Sequence, residues 1–140
     1  MPRGKIGTFI AQDIKDTELA YIAGIIDGEG TVRMEQNLKY KYRYPRISVV
    51  QNTTEMLEYL KSRLGGSTEL HQPAGTKVGK TNYMSNKDTY RWNTGGQNAY
   101  ELLKKVVPYM IVKRDKTMQI LKDYEEILST RVDHRKRQGA

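Results

Sequence analysis

Two carboxylates, Asp27 and Glu29, follow directly on an apolar run, Ala20-Tyr21-Ile22-Ala23-Gly24-Ile25-Ile26, in a chain that is otherwise basic. The run reads as a helix. A helix C-terminus carries partial negative charge and ordinarily attracts Lys or Arg, so two acids placed there call for compensation. A cation supplies it most simply. Two hard oxygen ligands beside the Gly28-Glu29-Gly30 turn suit Mg²⁺ or Ca²⁺ better than a soft metal, and the residue types point to a hydrated, oxygen-liganded metal site. The simpler reading of the same residues is a core helix with a Gly-rich C-cap and two solvated acids. Small residues, paired acids and a glycine in one continuous run ahead of a strand favour the metal site.

The helix that must position these acids has apolar residues on every side (Leu19, Ala20, Tyr21, Ile22, Ile25, Ile26), a pattern that predicts burial all round. Ala20, Gly24 and Gly28 fall four apart along one stripe, where missing side chains let a second helix approach backbone to backbone. Gly24 costs about 1 kcal/mol of helix propensity relative to Ala, which close packing explains better than indifference. Asp16 is the expected N-cap, with the helix beginning at Thr17.

After Gly30, residues 31–37 alternate: Val32 and Met34 share one face, while Arg33, Glu35 and Asn37 share the other. A second strand over residues 40–51 puts Ile47 and Val49 inward and Tyr42, Tyr44, Arg46 and Ser48 outward, with Pro45 marking an irregularity or edge. Asn52 or Thr53 then caps a helix whose Met56, Leu57, Leu60 and Leu64 face inward, and Gly65-Gly66 ends it. Strands over residues 67–72 and 88–94 flank a Gly-, Lys- and Asn-rich loop, residues 73–87, that carries Lys77, Lys80 and Lys87. Two closing helices, residues 97–107 and 113–130, are separated by Pro108.

This order describes an α+β domain with one curved antiparallel sheet covered by helices on one face. The expected divisions are an N-terminal arm over residues 1–15, a domain over 16–131 and a frayed basic tail over 132–140. The uncovered face presents Arg33, Tyr42, Tyr44, Arg46, His71 and Arg91. Such a face suits a DNA major groove, with Arg for guanine edges and Tyr and Lys for phosphates. A solvated face is the alternative, which the same bias on four strands disfavours. Lys plus Arg number 24 against 16 Asp plus Glu, giving +8 and a pI near 9.6, the footprint of a polyanion binder. With no Cys, and only His71 and His134, disulfides and zinc fingers are excluded. No apolar stretch is long enough to span a membrane, the first residues lack the apolar core of a signal peptide, and an intracellular location is expected.

The segment Ile22-Ala23-Gly24-Ile25-Ile26-Asp27-Gly28-Glu29-Gly30 resembles the namesake motif of the LAGLIDADG homing endonucleases. Ile22 stands for the usual Leu, and Glu29 stands where many members carry Asp, adding one methylene before the ligand. The resemblance implies an αββαββα fold over nearly the whole chain beyond the arm. It implies a DNA endonuclease using Mg²⁺, with Ca²⁺ as a non-catalytic substitute, the metal being held by Glu29 and the Gly28 carbonyl. Gln51, in Val49-Val50-Gln51-Asn52, is similar to the polar residue that members place beside the metal to hold water. Lys113, five residues after Pro108, is similar to the basic residue kept near the scissile phosphate.

A single motif per chain implies a twofold homodimer through Ala20, Ala23, Gly24, Asp27 and Gly28 and a near-palindromic target. DNA contacts are then expected from Arg33, Glu35, Asn37, Tyr42, Tyr44, Arg46, Ser48, His71, Lys77, Lys80 and Arg91. Two other functions stay open on the sequence, an RNA maturase acting on intron RNA and a DNA-binding regulator that does not cut.

Overall fold

Alternation of apolar and polar residues in four segments builds one antiparallel sheet, whose inner face is made by a few residues, Val32, Ile47, Val49 and Trp92, none of them exposed. The computed structural model describes residues 9–39, 41–75 and 87–139. Its elements run α1 (Asp16–Glu29), β1 (Gly30–Asn37), β2 (Tyr42–Gln51), α2 (Glu55–Leu64), β3 (Ser67–Gln72), β4 (Thr89–Gly95), α3 (Gly96–Val106), a 3-10 turn (Val107–Tyr109) and α4 (Arg114–Gly139). The strands lie in the order β1-β2-β4-β3, every pair antiparallel. The order αββαββα followed by a last helix is the expected one.

Helices cover one face. Ile22 and Ile26 of α1, Leu57, Leu60 and Leu64 of α2, and Leu102, Leu103 and Val106 of α3 close the core over that side. Pro45 is buried there, opposite Met34 in β1, and the ladder from β2 to β4 starts only at the next residue, Arg46, so the missing Pro45 N–H leaves no gap between those strands. Gly30 turns the chain from α1 straight into β1. A side chain there would meet the Ile26 carbonyl oxygen at 2.8 Å. At the end of α2, Gly65 and Gly66 take positive φ values of 75° and 83°, and the Trp92 indole donates to the Gly65 carbonyl at 2.8 Å.

Several expectations change. α1 starts at Asp16, with Lys15 as N-cap and no side-chain cap hydrogen bond, because Asp16 already belongs to the first turn. α2 starts at Glu55, with Thr54 and not Asn52 or Thr53 in the N-cap position and no side-chain cap hydrogen bond. Residues 9–15 are not a free arm: Ile10 joins the core, the Phe9 N–H donates to Asn98 Oδ1 at 2.8 Å, and the Ala11 N–H donates to the Arg63 carbonyl at 2.8 Å. α4 continues to Gly139, through the segment read as a frayed tail. Tyr40 lies outside the described residues.

Two polar clusters that the sequence did not advertise tie these parts together. Asn98 is buried and gives its amide to the Leu64 carbonyl and to Thr94 Oγ1, both at 2.8 Å, joining α2, β4, α3 and the N-terminal segment. Glu18 on α1 accepts from Arg63 Nε (2.7 Å), Arg63 Nη2 (2.9 Å) and the Tyr59 hydroxyl (2.7 Å) on α2. Arg63 first, and then Tyr59, hold the Glu18 carboxyl down at about 2.

Candidate active site and nucleic-acid interface

α1 delivers its two acids into different surroundings. The Asp27 carboxylate accepts three backbone N–H groups that precede α4: Ile111 at 2.8 Å, Val112 at 3.0 Å and Lys113 at 2.7 Å. They belong to the segment that enters α4, and a carboxylate beside the positive end of a helix is a natural acceptor for them. The Val112 N–H leads, against desolvation and with help from Ile111 and Lys113, in pulling the Asp27 carboxyl below its ordinary value. Lys113 also donates Nζ to the Asp27 carbonyl, one of the last in α1. The cation expected at a helix C-terminus is therefore present, supplied from 86 residues downstream.

The Asp27 charge is thus compensated by amides of the same chain, and the carboxylate fastens the end of α1 to the 111–113 segment that leads into α4. Ala23, expected at the interface with a second copy, is fully buried in the core beside Ile22 and Ile26 and so is not available to one. The rest of the stripe is open: Ala20, Gly24 and Gly28 are exposed, and a Cβ added at Gly24 or Gly28 would meet nothing within 4 Å. α1 is consequently not buried all round. One side packs in the core, and the side carrying Tyr21 (56% exposed) and the small residues faces outward.

Glu29 closes the last turn of α1 and is exposed. Gln51, at the end of β2 on the helix-covered side, donates Nε2 to Glu29 Oε2 at 3.1 Å. Gly28 belongs to the turn whose carbonyls a helix end leaves without intrahelical donors. Glu29, Gln51 and Lys113 therefore all reach the C-terminal end of α1. Among the described residues no three His, Cys, Asp or Glu side chains converge. An exposed carboxylate, a side-chain amide and a free-ended carbonyl form an all-oxygen set with few protein ligands, the kind that suits Mg²⁺, which keeps several waters and completes its shell with phosphate oxygens.

The uncovered face of the sheet gathers the side chains expected there. Register places Arg33 opposite Arg46, Glu35 opposite Tyr44 and Asn37 opposite Tyr42 across β1 and β2, Ser48 opposite Asn93 across β2 and β4, and Glu69 opposite Arg91 across β3 and β4. His71 is exposed on β3, next to the irregularity between Leu70 and Gln72. Ser48 has the predicted outward parity but is only 8% exposed, covered within the sheet surface, so it is corrected as a direct contact. Lys77 and Lys80 lie outside the described residues.

Three residues on this face went unnoticed in the sequence or were read without their partners. Glu69 accepts from Arg91 Nε at 2.9 Å, Asn93 accepts from Arg46 Nη2 at 2.7 Å, and Glu35 accepts from Arg33 and Tyr44 together. The strand pairing that creates these contacts leaves no local trace in the sequence.

No family model matches the chain, and no curated protein matches it in sequence. Solved structures do match in three dimensions. The homing endonuclease I-CvuI, in complex with its target and with calcium present, superposes with a TM-score of 0.62 at 19% identity, over 83% of this chain and 71% of that one. An archaeal intron-encoded homing endonuclease complexed with DNA gives 0.57 at 22% identity, over 81% and 70%. The chain has the fold of the LAGLIDADG homing endonucleases. Within that homing-endonuclease fold the motif read from residues 22–30 occupies α1 and its exit, with the exposed acid at the exit and the small-residue stripe open.

Proposed function

We propose that this protein is a site-specific DNA endonuclease that works as a homodimer and cuts both strands of a long, near-palindromic duplex. The observation that carries the reading is the end of α1, where an exposed Glu29 holds Gln51 at 3.1 Å beside an unpacked Gly24–Gly28 stripe. The fold, shared with two homing endonucleases solved with their DNA, supports it.

Glu29 and the Gly28 carbonyl would hold Mg²⁺, which when bound supplies positive charge against the developing charge on the phosphate. Glu29 also orients the Gln51 amide, leaving Gln51 Oε1 to accept from a water. Lys113, fastened to the C-terminal end of α1, brings a cation to the phosphate beside that water. Asp27 positions Lys113 and touches no reacting atom. One such set cuts one strand, so a second copy is needed for the other, and the open stripe is the surface on which α1 of that copy can lie. The open sheet face, with Arg33, Tyr42, Tyr44, Arg46, His71 and Arg91, follows the major groove, and binding weakens steeply with salt.

The test is sequencing of cut ends from a randomised duplex library incubated with the protein and Mg²⁺, with Glu29→Gln alongside. Near-palindromic sites cut by the unsubstituted protein alone are expected. Enrichment of the same duplex by both proteins without cutting would leave a DNA-binding regulator, and enrichment of structured RNA instead would leave a maturase. For the dimer, a Cβ at Gly24 would meet nothing within 4 Å in the chain, and Gly24→Leu is expected to lower the mass seen by sedimentation.

A further inference from the structure

Arg33 and Arg46 are Cα partners across β1 and β2, a placement that sets two like charges side by side. One carboxylate bridges them. Glu35 accepts from Arg33 Nε at 3.0 Å through Oε1, and through Oε2 it accepts from the Tyr44 hydroxyl at 3.0 Å and faces Arg46 Nη1 at 3.4 Å. Arg46 is fixed from its other nitrogen by Asn93, which is only 7% exposed. Burial raises the Glu35 carboxyl, but Arg33, Tyr44 and Arg46 outweigh it and keep the group ionised.

An acid costs affinity on a surface that meets phosphates, and this one is placed where it occupies both guanidiniums. An arginine free to rotate reaches any phosphate and binds every sequence alike. An arginine held by a carboxylate and a buried amide keeps the planar fork in one orientation, which is what bidentate reading of guanine requires. We infer that Glu35 is a specificity-determining residue: it holds Arg33 and Arg46 aimed at base edges and off the backbone, trading general affinity for discrimination.

The inference rests on the DNA reading proposed above, and its test separates the two. Affinities of the unsubstituted protein, Glu35→Gln and Arg33→Lys are measured for the enriched duplex, for its single-base variants and for random duplex over a range of salt, after thermal melting has shown that each variant is folded. For Glu35→Gln the expected result is tighter binding of random duplex, with a salt slope steeper by about 1. Preference for the enriched duplex falls roughly 10-fold, the loss being confined to one or two neighbouring base pairs per half-site. Arg33→Lys, which keeps the charge and loses the fork, loses preference at the same positions.

A uniform gain for all sequences with preference unchanged would make Glu35 a mere negative charge and overturn the inference while leaving the DNA reading intact. An equal loss for all sequences would make it a structural residue, with the same consequence. If the unsubstituted protein enriches no duplex at all, the DNA reading fails and the inference fails with it.

Discussion

Asp27 and Glu29 leave the same helix two residues apart, yet the structure around one is closed and around the other open. Asp27 has both oxygens engaged by three amides of the 111–113 segment that leads into α4, while Glu29 stands exposed and accepts from the neutral Gln51 amide. The spacing explains the split. Two positions on a helix point about 200° apart, so a turn that presses one acid against the 111–113 segment must turn the other away from it. One motif thereby supplies a structural anion and an available one, and the anchoring of the first fixes the frame in which the second acts.

The sharpest way to break this comparison is to remove charge from each acid in turn. Glu29→Gln is expected to lower cleavage by about 1000-fold or more while leaving the thermal midpoint unchanged, because the side chain is exposed and its removal opens no core. Cleavage kinetics and melting on one preparation check it. Asp27→Asn should do the reverse. An amide cannot accept from three N–H groups with both of its ends, so stability falls by roughly 1–2 kcal/mol and the midpoint by about 3–8 °C. Cleavage then falls only as far as Lys113 is displaced. If Asp27→Asn were as inactive as Glu29→Gln with an unchanged midpoint, the division of labour would be wrong.

Acid sharpens the same contrast. The folded-state value of Asp27 lies below its ordinary 3.8, so its contribution is fully present above that value and is lost as pH falls through the lower folded one. The difference in midpoint between the unsubstituted protein and Asp27→Asn should therefore be constant from neutral pH down to about 3.8 and shrink below it, as melting in a series of buffers would reveal. Gln51→Ala makes the smallest change. It frees the Glu29 carboxylate from the Gln51 amide, and cleavage should fall by about 10- to 100-fold with little effect on stability, read from single-turnover rates.

Much of the architecture was legible because it follows from short-range periodicity. Alternation at residues 31–37, the Gly65-Gly66 stop, the run of apolar residues before Asp27 and the break at Pro108 each report on a few consecutive side chains, and the observed elements agree with them to within one or two residues. Helix starts were read less well. Asp16, Asn52 and Thr53 have the right chemistry for caps, but neither helix start takes a side-chain cap bond, so residue type alone misplaced them. Ala23 is expected at the interface with a second copy, whereas its angular position on α1 sends it into the core with Ile22 and Ile26.

The sequence by itself determined the order of elements, the basic character of the chain and the placing of two acids at a helix exit, because each of these is a property of neighbouring residues. Only the tertiary structure decided which acid is spent on structure. The partners of Asp27 lie 84 to 86 residues away, those of Arg91 and Arg46 lie 22 and 47 away, and their meeting depends on strand order and on where α4 begins. A charge shows its sign in the sequence, but its compensation is a matter of distance in space, and that distance exists only once the sheet has formed and the helices have closed over it.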